Sequence, residues 1–127
     1  MFLFQGFFWS GPPYQILDAW RNKQIKLIVT HEIIEEYSRV SHLLAGKYPG
    51  VDITPFIELI VLHADMYEPV KLTKQISSDP DDDKFIACAL SAETKIIVSG
   101  DSDLLEISGF QGITVLKPRA FVTEYLA

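Results

Sequence analysis

Cysteine is almost absent. The 127 residues contain one, Cys88, which excludes an internal disulfide and points to a reducing, cytoplasmic setting rather than a secreted scaffold. Basic residues are also scarce: 11 Lys and Arg against 17 Asp and Glu leave a net charge of −6, with an isoelectric point near 4.9. That excludes a broadly basic surface that would hold nucleic acid by counterion release alone. Any such contact has to be local or bridged by a cation. A long apolar run is missing too. The opening MFLFQGFFWSGPPYQ carries no charge, yet it has no basic leader and no small-x-small cleavage site. Gly6, Ser10, Gly11 and two prolines interrupt it, well short of the ~18 apolar residues a membrane helix needs. It reads as part of a soluble domain with no membrane role, and Phe2, Phe4, Phe7, Phe8 and Trp9 must be buried against something. Repeats, low-complexity tracts, Gly-rich phosphate loops and G-x-S-x-G elbows do not occur.

What is present is the makeup of one ordinary globular domain over residues 1–127, with 48% hydrophobic and 22% charged residues. Apolar runs alternate with helix-period segments, the pattern of a parallel sheet flanked by helices. Pro12 and Pro13 open a helix YQILDAWRNKQ with Ile16, Leu17 and Trp20 on one stripe. IKLIVT (Ile25 to Thr30) reads as a strand. His31 to Ala45 reads as a helix with the stripe Ile33, Ile34, Tyr37, Val40 and Leu44, closed by Gly46. Thr54 caps a helix PFIELIVLHADM, YEPVKL is a weak strand, and a helix runs from Pro80 to Ala92. The strand KIIVS, a turn GDSD, a short LLEI helix, the strand ITVLK and a closing PRAFVTEYL follow. The class is α/β.

In open α/β sheets chemistry collects outside the carboxyl ends of the strands, so acids there outrank acids elsewhere. Three clusters qualify. In Glu35-Glu36 the helical angle puts Glu36 on the edge of the apolar stripe and Glu35 on the far side. In Asp79 to Asp83, capping explains most of the acids: Asp79 as N-cap, Pro80 at the first position, and Asp81 and Asp83 complementing the macrodipole. Capping does not explain Asp82, which shares its stripe with Phe85, Ile86 and Ala89, because an ionised carboxylate heading a buried stripe needs a cation or hydrogen bonds. The third cluster is Ser99-Gly100-Asp101-Ser102-Asp103, directly after the strand KIIVS. Alone it would read as a helix cap and a turn at Gly100, but at a strand's carboxyl end Asp101 could meet Glu36 and Asp82 from neighbouring units of the sheet. Converging carboxylates repel, so they stay ionised together only around a cation. Oxygen-only ligands select hard ions such as Mg²⁺ or Mn²⁺, which also hold phosphates. The residues alone point to metal-dependent phosphoryl chemistry. HEIIE lacks the second histidine of a zinc-protease helix, His42 and His63 have no ligand-spaced partner, and Cys88 reads as a core filler.

HEIIEEYSRV, DPDDDKFIACAL, IIVSGDSDLL and ITVLKPRAFV, in that order, resemble PIN domains, in particular the toxin components of toxin-antitoxin pairs. The resemblance implies a PIN-like three-layer α/β/α sandwich with a parallel sheet, endoribonuclease activity on RNA, and a site of acids for Mg²⁺ or Mn²⁺. It implies a cognate antitoxin and a homodimer as partners. By motif match Glu36, Asp82 and Asp101 carry the catalytic and metal-binding acids, Asp103 joins them at the metal, and Ser99 supports them. One motif departs from the pattern. The family opens with a central strand ending in Asp-Thr-Asn, and Met1 falls where that motif should be ending. A central strand lost outright orphans about ten backbone groups, at ~1 to 3 kcal/mol each, which exceeds a domain's whole stability of ~5 to 15 kcal/mol. The expectation is a start recorded too late, with the strand and its aspartate encoded upstream. The alternatives are that FLFQGFFW fills the slot or that the chain is a degenerate, non-catalytic remnant or binding module. A receiver-like phosphorylation domain, suggested by Leu116-Lys117-Pro118, is the more remote alternative.

Overall fold

Proline fits the first turn of a helix, where its missing N–H has no intrahelical partner to lose, and α1 (Pro12–Arg21) opens on Pro12 and Pro13. In this computed structural model residues 3–5, 12–47 and 54–126 are described. After α1 the chain runs through β2 (Ile28–Val29), α2 (His31–Lys47), α3 (Thr54–His63) and β3 (Asp65–Met66). A 3-10 turn (Pro80–Asp82) then leads into α4 (Asp83–Ser91), β4 (Ile96–Ser99), α5 (Ser102–Glu106), β5 (Thr114–Leu116) and α6 (Pro118–Phe121). The first strand, β1, is Leu3–Gln5.

All the pairings are parallel: β1 lies beside β4 and β4 beside β5, while β2 pairs with β3. Mixed helix and parallel strand bears out the α/β reading. The place beside β4 that the sequence reading leaves without its usual strand is taken by Leu3–Gln5, with Leu3 opposite Ile97, Phe4 opposite Val98 and Gln5 opposite Ser99. Extended apolar backbone of this kind supplies the ladder that β4 would otherwise lack. The strand it lays there carries no acid. Among the described residues no ladder joins β1 to β2, and α4 spans the break by contacting β1, β2 and β4. Phe2, Phe7, Phe8 and Trp9, whose burial the sequence demands, lie outside the described residues.

The core follows the stripes. Ile16, Leu17 and Trp20 of α1, Ile33 and Tyr37 of α2, Phe85, Ile86 and Ala89 of α4, and Ile97 and Val98 of β4 are all buried. Each large apolar side chain among them contributes ~1.5 to 3 kcal/mol relative to exposure. Three expected boundaries move. α2 runs through Gly46 to Lys47 instead of stopping before it. The helix from Thr54 ends at His63, because Asp65 and Met66 turn into β3 and trade helical hydrogen bonds for Asp65 N–H to Leu27 C=O and Tyr67 N–H to Val29 C=O, both 2.9 Å. The expected strand YEPVKL is therefore displaced: pairing with β2 occurs just upstream of it, and 67–72 runs without strand structure past α4. Among the described residues no helix is long and apolar enough to cross a membrane.

Candidate metal centre

Two helix starts and one strand end build the site. Asp79 caps the 3-10 turn with extended backbone (φ −99°, ψ 113°), its side chain accepting from the Asp81 N–H at 3.0 Å. Three residues on, at the junction with α4, Asp82 makes no capping hydrogen bond of its own. It is only 4% exposed. From the other side, β4 ends at fully buried Ser99, whose hydroxyl accepts from the Asp101 N–H at 2.9 Å. Asp101 then caps α5 by accepting from the Asp103 N–H at 2.8 Å. The plain capping reading of this segment is thus correct, and it also fixes where the two carboxylates point.

Oxygens of Asp79, Asp82 and Asp103 lie within 4.8 Å of one another. Asp101 joins through Asp82, to which it is close enough to share a hydrogen bond. The Asp82 carboxyl is pushed up to about 7 by burial first, then by the charge of Asp101, that of Asp79, the hydrogen bond with Asp101, and the charge of Asp103. Among the described residues the one buried side-chain polar atom with no hydrogen-bond partner is Asp82 Oδ2. A buried oxygen in that state costs ~1 to 3 kcal/mol unless something meets it. Three mutually repelling carboxylates, oxygen donors only and an unmet buried oxygen together fit a hard divalent cation. Among the described residues no Lys, Arg or His forms an ion pair with Asp79, Asp82, Asp101 or Asp103.

Glu36 stands differently. Its side chain is 16% exposed, as its place on the edge of the stripe implies, and it is paired with Lys84 of α4 at 3.0 Å and with Arg39 one turn further along α2. The structure therefore brings together Asp82, Asp101 and Asp103 over Ser99, and ties Glu36 to two cations instead. Exposed Glu35 pairs with His31 at 3.0 Å. Cys88 is buried, with its thiol pushed up to about 12 by desolvation, as a core filler should be. The residue that the sequence reading passed over is Asp79, assigned to capping alone. Its spacing of three from Asp82 puts both carboxylates on one side of a turn, and that is the signal that points to it.

Residues 1–103 match the family model of the PIN domain. A curated relative, the phosphate acyltransferase of Mycoplasmopsis agalactiae, is 24% identical over 107 residues, covering 84% of this chain. The chain spans about 30% of that protein's length. No solved structure matches the chain. The family match covers most of the sequence and includes the acids gathered at the end of β4, and on that ground the chain belongs to the PIN domain family, whose members are generally nucleases.

Proposed function

We propose that this chain is a metal-dependent endoribonuclease that hydrolyses RNA phosphodiester bonds, working in the cytoplasm as the toxin member of a toxin-antitoxin pair. The observation that carries the reading is the buried, unpartnered Asp82 Oδ2 inside a group of carboxylates that, among the described residues, forms no ion pair. Asp82, Asp101 and Asp103 would hold the ion, with Glu36 at the margin. Mg²⁺ or Mn²⁺ bound there supplies neutralisation of the phosphodiester and a water of lowered pKa for in-line attack. That resolves how so acidic a protein handles an anionic polymer.

The chain's own residues do the holding. The Asp103 N–H and the Ser99 hydroxyl orient Asp101 from both sides. Asp82, whose carboxyl is pushed up to about 7, would give up its proton on taking a cation as ligand. Lys84 and Arg39 hold the Glu36 carboxylate and neutralise it until substrate or ion competes for it. An antitoxin and a second copy of the chain complete the reading as partners, the exposed Leu43, Val61 and Leu62 of α2 and α3 being the apolar surface available to them.

A second reading has one observation behind it. Glu36 is neutralised by its own chain and β1 brings no acid, which suits a module that binds a cation or partner without cutting. Single-stranded RNA with Mn²⁺ separates the two. The nuclease reading expects cleavage that Asp82→Asn abolishes. Equal products from wild type and variant would reject Asp82's role, and no cleavage alongside tight Mn²⁺ uptake would favour the binding module.

A further inference from the structure

Asp83 sits in the first turn of α4, where an acid complements the helix dipole, yet both of its oxygens are engaged elsewhere. Oδ2 accepts from the Ile76 N–H at 3.0 Å and Oδ1 from the Ser77 N–H at 2.8 Å. A carboxylate that takes two successive backbone amides grips that stretch of chain at two points and fixes its direction, and charge-assisted bonds of this kind are the strong ones. Gln75 braces the same stretch, its amide donating to the Ser77 C=O at 2.8 Å. Ser77 is 2% exposed. Its hydroxyl accepts from the Asp79 N–H at 3.3 Å. A continuous relay therefore runs from Asp83 through the Ser77 backbone and hydroxyl to Asp79. At its end one Asp79 oxygen lies within 4.8 Å of oxygens of Asp82 and Asp103. Asp82, in the same group, is the residue whose buried Oδ2 has no partner, an observation independent of the clustering itself.

We propose that Asp79 is a ligand of the divalent cation shared with Asp82 and Asp103, and that Asp83 is a positioning residue that sets Asp79 in place by clamping Ile76 and Ser77. The inference rests on the metal-site reading above. It assigns separate tasks to neighbouring acids that look alike in sequence: Asp79 and Asp82 face the ion, Asp83 holds the loop, and exposed Asp81 contributes its N–H to Asp79. Removing one oxygen of Asp83 frees one of the two amides and loosens Asp79 without touching the ion.

A double-mutant cycle with MnCl₂, read by calorimetry, tests this. Asp79→Asn and Asp83→Asn are each expected to weaken Mn²⁺ binding by ~10- to 100-fold, the range for altered outer partners of a metal site. The pair together should be no weaker than Asp79→Asn alone, because Asp83 acts only through Asp79. Ser77→Ala, which cuts the relay at the hydroxyl and leaves the clamp whole, should weaken Mn²⁺ in the wild-type background and not in Asp79→Asn. It keeps the test standing if Asp83→Asn does not fold. Amide exchange at Ile76 and Ser77 should quicken in Asp83→Asn and stay slow in Ser77→Ala. Wild-type affinity in Asp79→Asn, or fully additive losses in the pair, overturns the proposal alone. A wild-type chain that takes up no Mn²⁺ overturns the metal reading, and this proposal with it.

Discussion

Glu36 and Asp82 are both acids, both largely shielded from solvent, one on α2 and the other leading into α4, which α2 contacts, yet their surroundings are opposite. Glu36 meets two cations of its own chain. Asp82 meets Asp79, Asp101 and Asp103, and one of its oxygens meets nothing. The contrast separates a carboxylate that the fold has already satisfied from one that the fold leaves unpaired among like charges. Burial alone does not separate the two. Burial among like charges does, because folding then concentrates a repulsion that a retained proton or an added cation relieves.

Substitution at the unsatisfied end should do the most damage. Asp82→Asn removes both the charge and one donor oxygen from the centre of the group, and cleavage of single-stranded RNA and Mn²⁺ uptake should both be lost, as read by gel and calorimetry. The same variant should make the metal-free chain more stable. The sign follows from the raised carboxyl: folded Asp82 retains its proton from about pH 4 to about 7 while the unfolded chain gives it up, so its contribution to stability declines across that window. Thermal melts should show the Asp82→Asn gain at pH 8 and little of it at pH 4. A gain of equal size at both values would break the comparison.

Next in size is the pH dependence of the ion itself. Affinity for Mn²⁺ should rise steeply between pH 6 and 8, since below about 7 the ion must displace a proton from Asp82. A flat profile over that range would show that the Asp82 carboxyl is already ionised.

The satisfied end should respond more mildly. Lys84→Met strips one of two partners from a Glu36 that is 16% exposed, leaving Arg39 in place. The expected cost is about 1 kcal/mol, between the values for exposed and fully buried pairs, seen as a lowered melting temperature with Asp82 chemistry intact. His31→Ala breaks an exposed pair with Glu35 and should change stability by no more than ~0.5 kcal/mol. A large loss there would mean that α2 depends on its outer face.

Much of this arrangement is written locally. The stripes of α1, α2 and α4 follow the 3.6-residue period, and the same angular argument puts Glu36 inward of Glu35, as found. The acids after β4 are legible because a β-branched run ends at them. Other features have no local signal. β3 consists of Asp65 and Met66, both exposed, so no apolar alternation announces it and only backbone pairing with β2 makes it a strand. One of the two partners of Glu36, Lys84, lies 48 residues away, a distance at which helix angles say nothing. Asp79 shows a third kind of omission: a capping role accounts for it fully, so its second position, beside Asp82 and Asp103, emerges only once Asp103 is folded next to it.

The most direct check is a Mn²⁺ titration of the wild-type chain near pH 7, run in buffers of different ionisation enthalpy so that protons are counted along with ions. The account predicts one ion bound with a fraction of a proton released, and both signals gone in Asp82→Asn. Uptake that releases no proton, or that is undiminished in the variant, would contradict it.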